Sequence, residues 1–438
     1  MDSLEIPKQL VIAAGGKGTR MYKDHGALPK ALIPINGIPV VERLILKAKE
    51  NKMTKVLILL SDGTKAIEDY LKDGENFGIK IDYSYESVPL GNGGSLINAI
   101  DKLESVFYYA YADVVMDIDF MSMARFHYGK GSELTLFVHP NDHPHDSDIV
   151  RTNSEARVSE VIGCPHEGSF APNLVNAAFY IVEKKILEGA KDGKTDFIKG
   201  LLKAFLAGGK AVYAYKSREY IKDMGTPERK AIVEGHLSSG HVENRKLTNK
   251  IGAIFLDRDG TVIKWKHLLS KPEDVELIPG VQDAIRTINT LGKLAILVTN
   301  QPVVARGLCT TDELNNIHDA LETMLGREGA YFDDIYYCPH HPDSGFEGEV
   351  KSLKIKCSCR KPQTGMIDEA VRRYNVDLKN SWFIGDSTVD LMTARNSNIN
   401  SVLVETGVGG RDGKYKVDPD MRVNQLSSEL IERIHKHK

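Results

Sequence analysis

Two aspartates two residues apart, Asp257 and Asp259, stand directly after the apolar run Ala253–Leu256. At the C-terminal end of a buried parallel strand, one carboxylate can attack phosphorus to form an aspartyl phosphate. The other can protonate the leaving alcohol. Gly260 permits the tight turn that follows, and Thr261 can hold it by hydrogen bonding. The plain alternative is a polar turn after a strand, but strand-D-x-D-G-T is specific enough to outweigh it. A second constellation, Cys338, His340, Cys357 and Cys359, has the form C-x-H…C-x-C. Two close pairs of this kind can close a tetrahedral zinc site around a loop, and four protein ligands make such a zinc structural. His341 is the alternative to His340. Three of the five cysteines in one cluster favour zinc over unrelated thiols, and Cys164 and Cys309 read as buried small residues. A third group is the turn Gly15-Gly16-Lys17-Gly18-Thr19-Arg20 after the strand-like Leu10–Ala14. Glycines there let backbone N–H groups reach phosphate oxygens, and Lys17 and Arg20 add cationic donors. Alone, the turn is evenly balanced between phosphate binding and simple tight geometry. It matches neither the P-loop nor the dinucleotide fingerprint.

The elements that must position these groups alternate. Strand-like runs at 10–14, 56–60, 80–85 and 107–111 are separated by helical patterns at 39–51, 65–71 and 94–103. A second series has strands at 253–256, 294–299, 334–337, 382–385 and 401–404, with helices at 281–291, 312–325, 365–374 and 389–396. This alternation predicts α/β domains with parallel sheets. Residues 236–250 hold few large apolar side chains and are expected to be a linker between domains at 1–235 and 251–438. The 438 residues suit two or three domains. A net charge of −3 gives no basic field for nucleic acid, and apolar runs of strand length predict no membrane span. The charged first residues are not expected to act as a signal peptide, and few, clustered cysteines point to a reducing, cytoplasmic setting.

The segment Leu28-Pro-Lys-Ala-Leu-Ile-Pro-Ile-Asn-Gly-Ile-Pro39 follows the glycine turn, and the composite resembles the signature of sugar-1-phosphate nucleotidyltransferases. The resemblance covers residues 8–235 and implies a GT-A/Rossmann-like fold. It implies that Gly15, Gly16, Gly18, Thr19 and Arg20 hold the nucleotide phosphates and that Lys30 supports the charge during transfer. Glu86–Ser95 is similar to the family's base- and sugar-contacting loop, which implies binding roles for Gly91 and Gly93; Val175–Tyr180 resembles its sugar-binding strand, with Asn176. Tyr111-Ala-Asp113 and Lys222-Asp-Met-Gly-Thr-Pro227 resemble the segments supplying two Mg²⁺ carboxylates, Asp113 and Asp223. Ala112 stands where the family has Gly, and residues 21–28 lack its usual P-L-T.

Asp257-Arg-Asp-Gly-Thr261, Thr299, Lys361 and Asp386 resemble, in order, the motifs of haloacid dehalogenase (HAD) phosphatases. The resemblance implies a HAD-like Rossmannoid domain with a zinc-binding loop. In it Asp257 is the nucleophile, Asp259 the acid, Thr299 and Lys361 hold the phosphoryl group, and Mg²⁺ sits on Asp257, the Asp259 carbonyl and Asp386; Asp390 orders the loop. Cys338-Pro-His-His-Pro…Cys-Ser-Cys-Arg-Lys-Pro362 resembles a narrower group, the D-glycero-D-manno-heptose-1,7-bisphosphate 7-phosphatases and their histidinol-phosphate relatives. That implies substrate contacts for Arg360, and for Asn300 and Arg306 within Thr299–Gly307, where Pro302 and Val303 replace the usual Ser-Gly.

Together the resemblances imply an enzyme that removes the 7-phosphate of heptose 1,7-bisphosphate and then transfers a nucleotidyl group to heptose 1-phosphate. Likeness to mannose- and heptose-1-phosphate guanylyltransferases implies GTP. In that family the guanylyl route takes the α-anomer, and the adenylyl route uses ATP and the β-anomer. Expected partners are NTP and heptose phosphates, with no nucleic acid and no membrane; a homo-oligomer is compatible with the sequence. Alternatives are a mannose-1-phosphate-type transferase joined to another phosphatase, a nucleotide sensor regulating a histidinol-phosphate phosphatase, and a zinc-stabilised scaffold.

Overall fold

The computed structural model describes residues 6–15, 28–61, 64–166, 168 and 170–436. The chain divides into two compact units. The first comprises Met1–His139, Asp148–Cys164 and Val175–Lys246; the second comprises Pro140–Ser147, Pro165–Leu174 and Leu247–Lys438.

In the first unit, strands β1 (Gln9–Ala13), β2 (Lys55–Leu60), β3 (Lys80–Tyr85) and β4 (Val106–Tyr111) lie in the order β3–β2–β1–β4 and are parallel. Helices α1 (Val40–Glu50), α2 (Lys65–Leu71) and α3 (Gly91–Asn98) connect them. Leu10 and Ile12 of β1 join one core cluster, while Val11 between them is equally buried. Burial on both faces is why the strand reads as an unbroken apolar run.

The rest of this sheet departs from the expected all-parallel plan. A short strand β5 (Val114–Asp117) and helix α4 (Phe120–Gly129) lead to β6 (Leu134–His139), β7 (Ile149–Thr152), β8 (Val158–Ile162) and β9 (Val175–Glu183). Strand β9 runs antiparallel to β4, β6 and β7. No described helix separates β7, β8 and β9 in sequence; β7 and β8 form an antiparallel pair, and β9 lies antiparallel along the other edge of β7. Strand β10 (Val212–Lys216) adds beside β6, and β11 (Tyr220–Asp223) pairs with β5 in a separate two-stranded sheet.

The expected linker at 236–250 is largely structured. Helix α5 (Pro227–Ser238) and the turn His241–Asn244 fill most of it, and the boundary between units falls after Lys246. Val242, with Val233 just before the segment, is buried with Tyr220 and Met224, and Leu237 packs against the same cluster, which docks this segment on the first unit.

The second unit is built on six parallel strands: β12 (Ala253–Leu256), β13 (Leu294–Asn300), β14 (Asp334–Cys338), β15 (Trp382–Gly385), β16 (Asn400–Val404) and β17 (Met421–Val423). Their order is β14–β13–β12–β15–β16–β17. Only β17 was outside the expected series. Helices α6 (Val281–Thr290), α7 (Thr311–Arg327), α8 (Gly365–Tyr374) and α9 (Thr388–Asn396) lie at the expected positions, followed by α10 (Ser428–Lys436). Along β12, Ile254 and Leu256 enter one core cluster and Ala253 and Phe255 the other, so the strand has no wet face. A strand so enclosed delivers the residues after it, Asp257 onward, to one end of the sheet with little freedom.

Candidate active sites

In the first unit, β1 and β4 are in register at Ala13 and Tyr111, and Ala112 N–H donates to the Ala13 carbonyl at 3.0 Å. Gly15 and Asp113 therefore emerge at the same edge. They open into a cavity of about 660 Å³ that Lys30, Glu86, Gly91, Asn92, Tyr111, Lys194, Thr195 and Asp196 also line. Lys30 Nζ pairs with Asp113 Oδ2. Asp223 sits opposite Val114 on the paired strands β11 and β5. Its Oδ1 accepts from Gly225 N–H at 2.8 Å, and both its oxygens face Arg229 Nη1 at 3.0 and 3.1 Å. Lys30 and Arg229 thus already pair with the two carboxylates, which keep further lone pairs for a cation. Gly16, Lys17, Gly18, Thr19 and Arg20 lie outside the described residues.

Gly91 lines the cavity, but Gly93 does not, and its requirement is steric. A Cβ on Gly93 would stand 3.0 Å from the Asp196 backbone, and one on Gly91 would stand 2.7 Å from the Thr195 carbonyl. Both Gly93 and Gly94 donate backbone N–H groups to Thr195 O at 3.1 Å, which locks the loop onto segment 194–196. That segment had no motif to mark it and escaped the sequence reading. Glu86 accepts from Leu90 N–H at 3.1 Å, and burial pushes its carboxyl above the usual range. Asn92 donates to Tyr111 Oη at 2.6 Å, and Asn176 donates to Tyr180 Oη at 2.9 Å, leaving buried Asn176 Oδ1 without a partner. Asn176 is held by a bulge in β9. Ala178 has φ of 55°, and the register with β6 shifts between Asn176 and Tyr180. A left-handed alanine costs about 1–2 kcal/mol, the kind of local strain that persists where a side chain must be aimed.

In the second unit, Asp257 follows β12, Thr299 is near the end of β13, Cys338 ends β14 and Asp386 follows β15. All four reach the C-terminal edge of one parallel sheet, where open α/β sheets bind ligands. Lys361 Nζ donates to Asp257 Oδ1 and Asp390 Oδ1, both at 2.6 Å, with its side chain only 3% exposed. Carboxylate oxygens of Asp257, Asp386 and Asp390 lie within 4.8 Å of one another. Burial raises the Asp257 and Asp386 carboxyls, with the neighbouring carboxylates adding to it and Lys361 opposing. Burial lowers Lys361, but Asp257 and Asp390 outweigh it and hold the ammonium firmly charged. Three enclosed carboxylates against one ammonium leave a local excess of negative charge that a divalent cation suits. Asp386 Oδ2 also accepts from Val408 N–H at 2.7 Å, and Asp390 Oδ2 accepts from Ser387 Oγ at 2.6 Å in a capping box that opens α9.

Asp259 is oriented by two residues that sequence reasoning had not singled out. Arg258, 1% exposed, donates to both its oxygens at 3.1 Å, and Gln301 Nε2 donates to Oδ2 at 2.8 Å. Gln301 also donates to Thr299 Oγ1 at 2.9 Å, linking the Asp259 carboxylate to the Thr299 hydroxyl. The Asn300 side chain is spent on the Lys361 backbone: Oδ1 accepts its N–H at 2.9 Å and Nδ2 donates to its carbonyl at 3.1 Å. These two bonds position the lysine. Arg360 Nη1 donates to the His340 carbonyl at 3.0 Å, and the Arg306 guanidinium lies 4.4 Å from the centre of the Phe346 ring.

Cys338, His340, Cys357 and Cys359 converge. The three sulfurs are 3.2–3.5 Å apart, and His340 Nδ1 lies 3.3 Å from Cys359 Sγ and 3.7 Å from Cys338 Sγ. A tetrahedral zinc with Zn–S bonds of about 2.3 Å has ligand–ligand edges of roughly 3.8 Å, so the set fits the metal with slight expansion. His341 is turned elsewhere, its Nδ1 accepting from Asp343 N–H at 3.2 Å. None of the five cysteines is in a disulfide. Cys309 is buried, but Cys164 is half-buried, because it closes the end of β8 with its N–H on Asp148 Oδ1 at 3.0 Å.

The nucleotidyl transferase family model matches residues 9–237, more than half of the chain, and a HAD-hydrolase-like model matches residues 358–428. D-glycero-beta-D-manno-heptose-1,7-bisphosphate 7-phosphatase of Yersinia pestis is 38% identical over 162 residues, 37% of this chain and 84% of that protein. The chain belongs to both the nucleotidyl transferase and the HAD phosphatase families. The Escherichia coli K12 protein with the same phosphatase name is 35% identical over 162 residues, covering 37% of this chain and 83% of that protein. Among solved structures, HddC from Yersinia pseudotuberculosis aligns at 26% identity with a TM-score of 0.47, over 52% of this chain and 99% of that chain. The chain is thus a bifunctional enzyme, a nucleotidyltransferase followed by a phosphatase. No described helix is long and apolar enough to cross a membrane.

Proposed function

We propose that the second unit hydrolyses the 7-phosphate of D-glycero-D-manno-heptose 1,7-bisphosphate and that the first activates the resulting heptose 1-phosphate with GTP, releasing pyrophosphate. The observation carrying the reading is Lys361 bridging Asp257 and Asp390 beside Asp386, in a half-chain related to proteins named for that phosphatase activity. Asp257 attacks the 7-phosphorus, Lys361 and Thr299 hold the transferring oxygens, and Asp259 protonates the departing alcohol. Asp259 then takes a proton from the water that cleaves the aspartyl phosphate. A Mg²⁺ held by Asp257 and Asp386 would neutralise charge on the phosphoryl group. The anomeric phosphate survives, and its oxygen is the nucleophile the first unit needs. There Lys30 offsets the charge of two approaching anions, with Gly15 at the phosphate end, Asn176 on the sugar side, and Mg²⁺ on Asp113 and Asp223.

Zinc at Cys338, His340, Cys357 and Cys359 is structural in this reading. Metal analysis is expected to find one zinc per chain, and Cys357→Ser is expected to lose it and lower the melting temperature of the second unit. Cysteines without disulfides accord with a cytoplasmic enzyme.

The test is phosphate and pyrophosphate release from the α- and β-anomers of heptose 1,7-bisphosphate, with Mg²⁺ and each NTP in turn. The curated relatives are named for the β-anomer, whereas GTP accompanies the α-anomer in the guanylyl family, so both anomers are needed. GTP-dependent pyrophosphate release after phosphate release supports the proposal; no turnover of either anomer refutes the heptose assignment.

A further inference from the structure

The loop that follows β16, Glu405-Thr-Gly-Val-Gly-Gly-Arg-Asp-Gly413, supplies no side chain to the chemistry at Asp257, yet it closes against the Asp386 carboxylate. Its near end is fixed beside β17, where Glu405 N–H is shared between the Val423 and Asn424 carbonyls at 3.0 and 3.1 Å. Its far end is fixed on α9, where Asp412 accepts from Thr388 N–H at 2.8 Å and from Thr388 Oγ1 at 2.6 Å. Between these anchors the loop holds Asp386 at two points. Val408 N–H donates to its Oδ2 at 2.7 Å, and Gly410 N–H donates to its backbone carbonyl at 2.7 Å.

A close approach of backbone makes this possible. Gly407 has a φ of 61°, and a Cβ there would stand 2.0 Å from Asp386 Oδ2 and 2.8 Å from Gly260 Cα. A Cβ on Gly260 would stand 2.3 Å from the same oxygen. Backbone from the ends of β12 and β16 thus presses on one carboxylate at the end of β15. Asp386 is 3% exposed and shares its enclosure with Asp257 and Asp390, and like charges so close push each other apart. A charge-assisted bond from a fixed backbone donor opposes that push and sets the direction of the carboxylate.

We propose that Gly407 is a positioning residue of the phosphatase: by letting the loop backbone reach Asp386, it places Val408 N–H so that the carboxylate stays aimed at the divalent cation. This rests on Asp386 being a metal ligand, and it holds whichever sugar phosphate is hydrolysed. Groups that orient metal ligands in this way are worth about 10- to 100-fold in metal affinity.

The experiment titrates the full chain with Mn²⁺, following the paramagnetic resonance of the free ion, in the wild type, Asp386→Ala, Gly407→Ala and Gly413→Ala. Asp386→Ala identifies the site by the Mn²⁺ it loses. Gly413 is the matched control, because its φ is 60° but a Cβ there meets nothing within 4 Å. It shares the backbone strain and lacks the contact. Gly407→Ala is expected to weaken the identified site by about 10- to 100-fold, and Gly413→Ala to leave it unchanged. Phosphate release by Gly407→Ala is expected to recover as Mg²⁺ is raised, a rescue that a damaged fold would not show. Should a thermal melt find Gly407→Ala unfolded, Asp412→Ala takes its place, since it frees the far end of the loop from Thr388 and leaves Gly407 intact. It is expected to weaken the same site by about 10-fold. Unchanged Mn²⁺ affinity in the folded variant, or equal losses in Gly407→Ala and Gly413→Ala, overturns the role of Gly407. If Asp386→Ala loses no Mn²⁺, the metal reading of Asp386 fails, and the inference with it.

Discussion

Asp257→Asn removes phosphate release by about 10⁴-fold or more, while NTP-dependent pyrophosphate release from heptose 1-phosphate continues at the wild-type rate. Few single changes should cost more, because the amide oxygen is no nucleophile at phosphorus and no aspartyl phosphate forms. The substitution is nearly isosteric, and the Lys361 ammonium keeps Asp390 as its partner at 2.6 Å. Losing one of three enclosed carboxylates also relieves like-charge repulsion, so the second unit is expected to keep its melting temperature or gain slightly. Phosphate release measured beside a thermal melt separates loss of chemistry from loss of fold.

Asp113→Ala produces the opposite result: pyrophosphate release falls by about 10³-fold while phosphate release is retained. The carboxylate lines the first unit's cavity and pairs with Lys30, so its removal frees the lysine and deletes a proposed cation ligand together. It sits at a turn with 30% of its side chain exposed, and its carbonyl, which accepts from Met224 N–H at 2.9 Å, is unaffected by the change. The fold should therefore survive. The two variants mixed in one vessel, each supplying what the other lacks, are expected to restore the full sequence from bisphosphate to nucleotide sugar.

The parts of this molecule legible in the sequence are those where packing and chemistry point the same way. Ala253–Leu256 is apolar at every position because both its faces are buried, and the chemistry follows at once in Asp257 and Asp259. The alternation of strand and helix that surrounds it placed the five strands and four helices around the phosphatase site nearly to the residue. The antiparallel side of the first unit was not legible in that way. Val158–Ile162 is short and runs buried, exposed, exposed, buried across a register shift, so no period-two pattern marks it, and Ala178 bends β9 with a backbone conformation that alanine does not advertise. Lys194, Thr195 and Asp196 belong to the cavity only because glycines 91, 93 and 94 let backbone come close, a tertiary fact. Asn300 shows the converse. Its motif marked it for substrate, and only the three-dimensional arrangement shows that its amide also clamps the Lys361 backbone.

The central claim is that one chain first strips a phosphate from one end of a bisphosphate sugar and then uses the phosphate at the other end. Phosphorus NMR of heptose 1,7-bisphosphate with the enzyme, Mg²⁺ and GTP follows both phosphates at once. The account predicts that the 7-phosphate signal converts to inorganic phosphate first, and that the anomeric signal then moves into the diphosphate of a nucleotide sugar as pyrophosphate appears. Loss of the anomeric phosphate to solvent, or a nucleotide sugar that still carries its 7-phosphate, would contradict it.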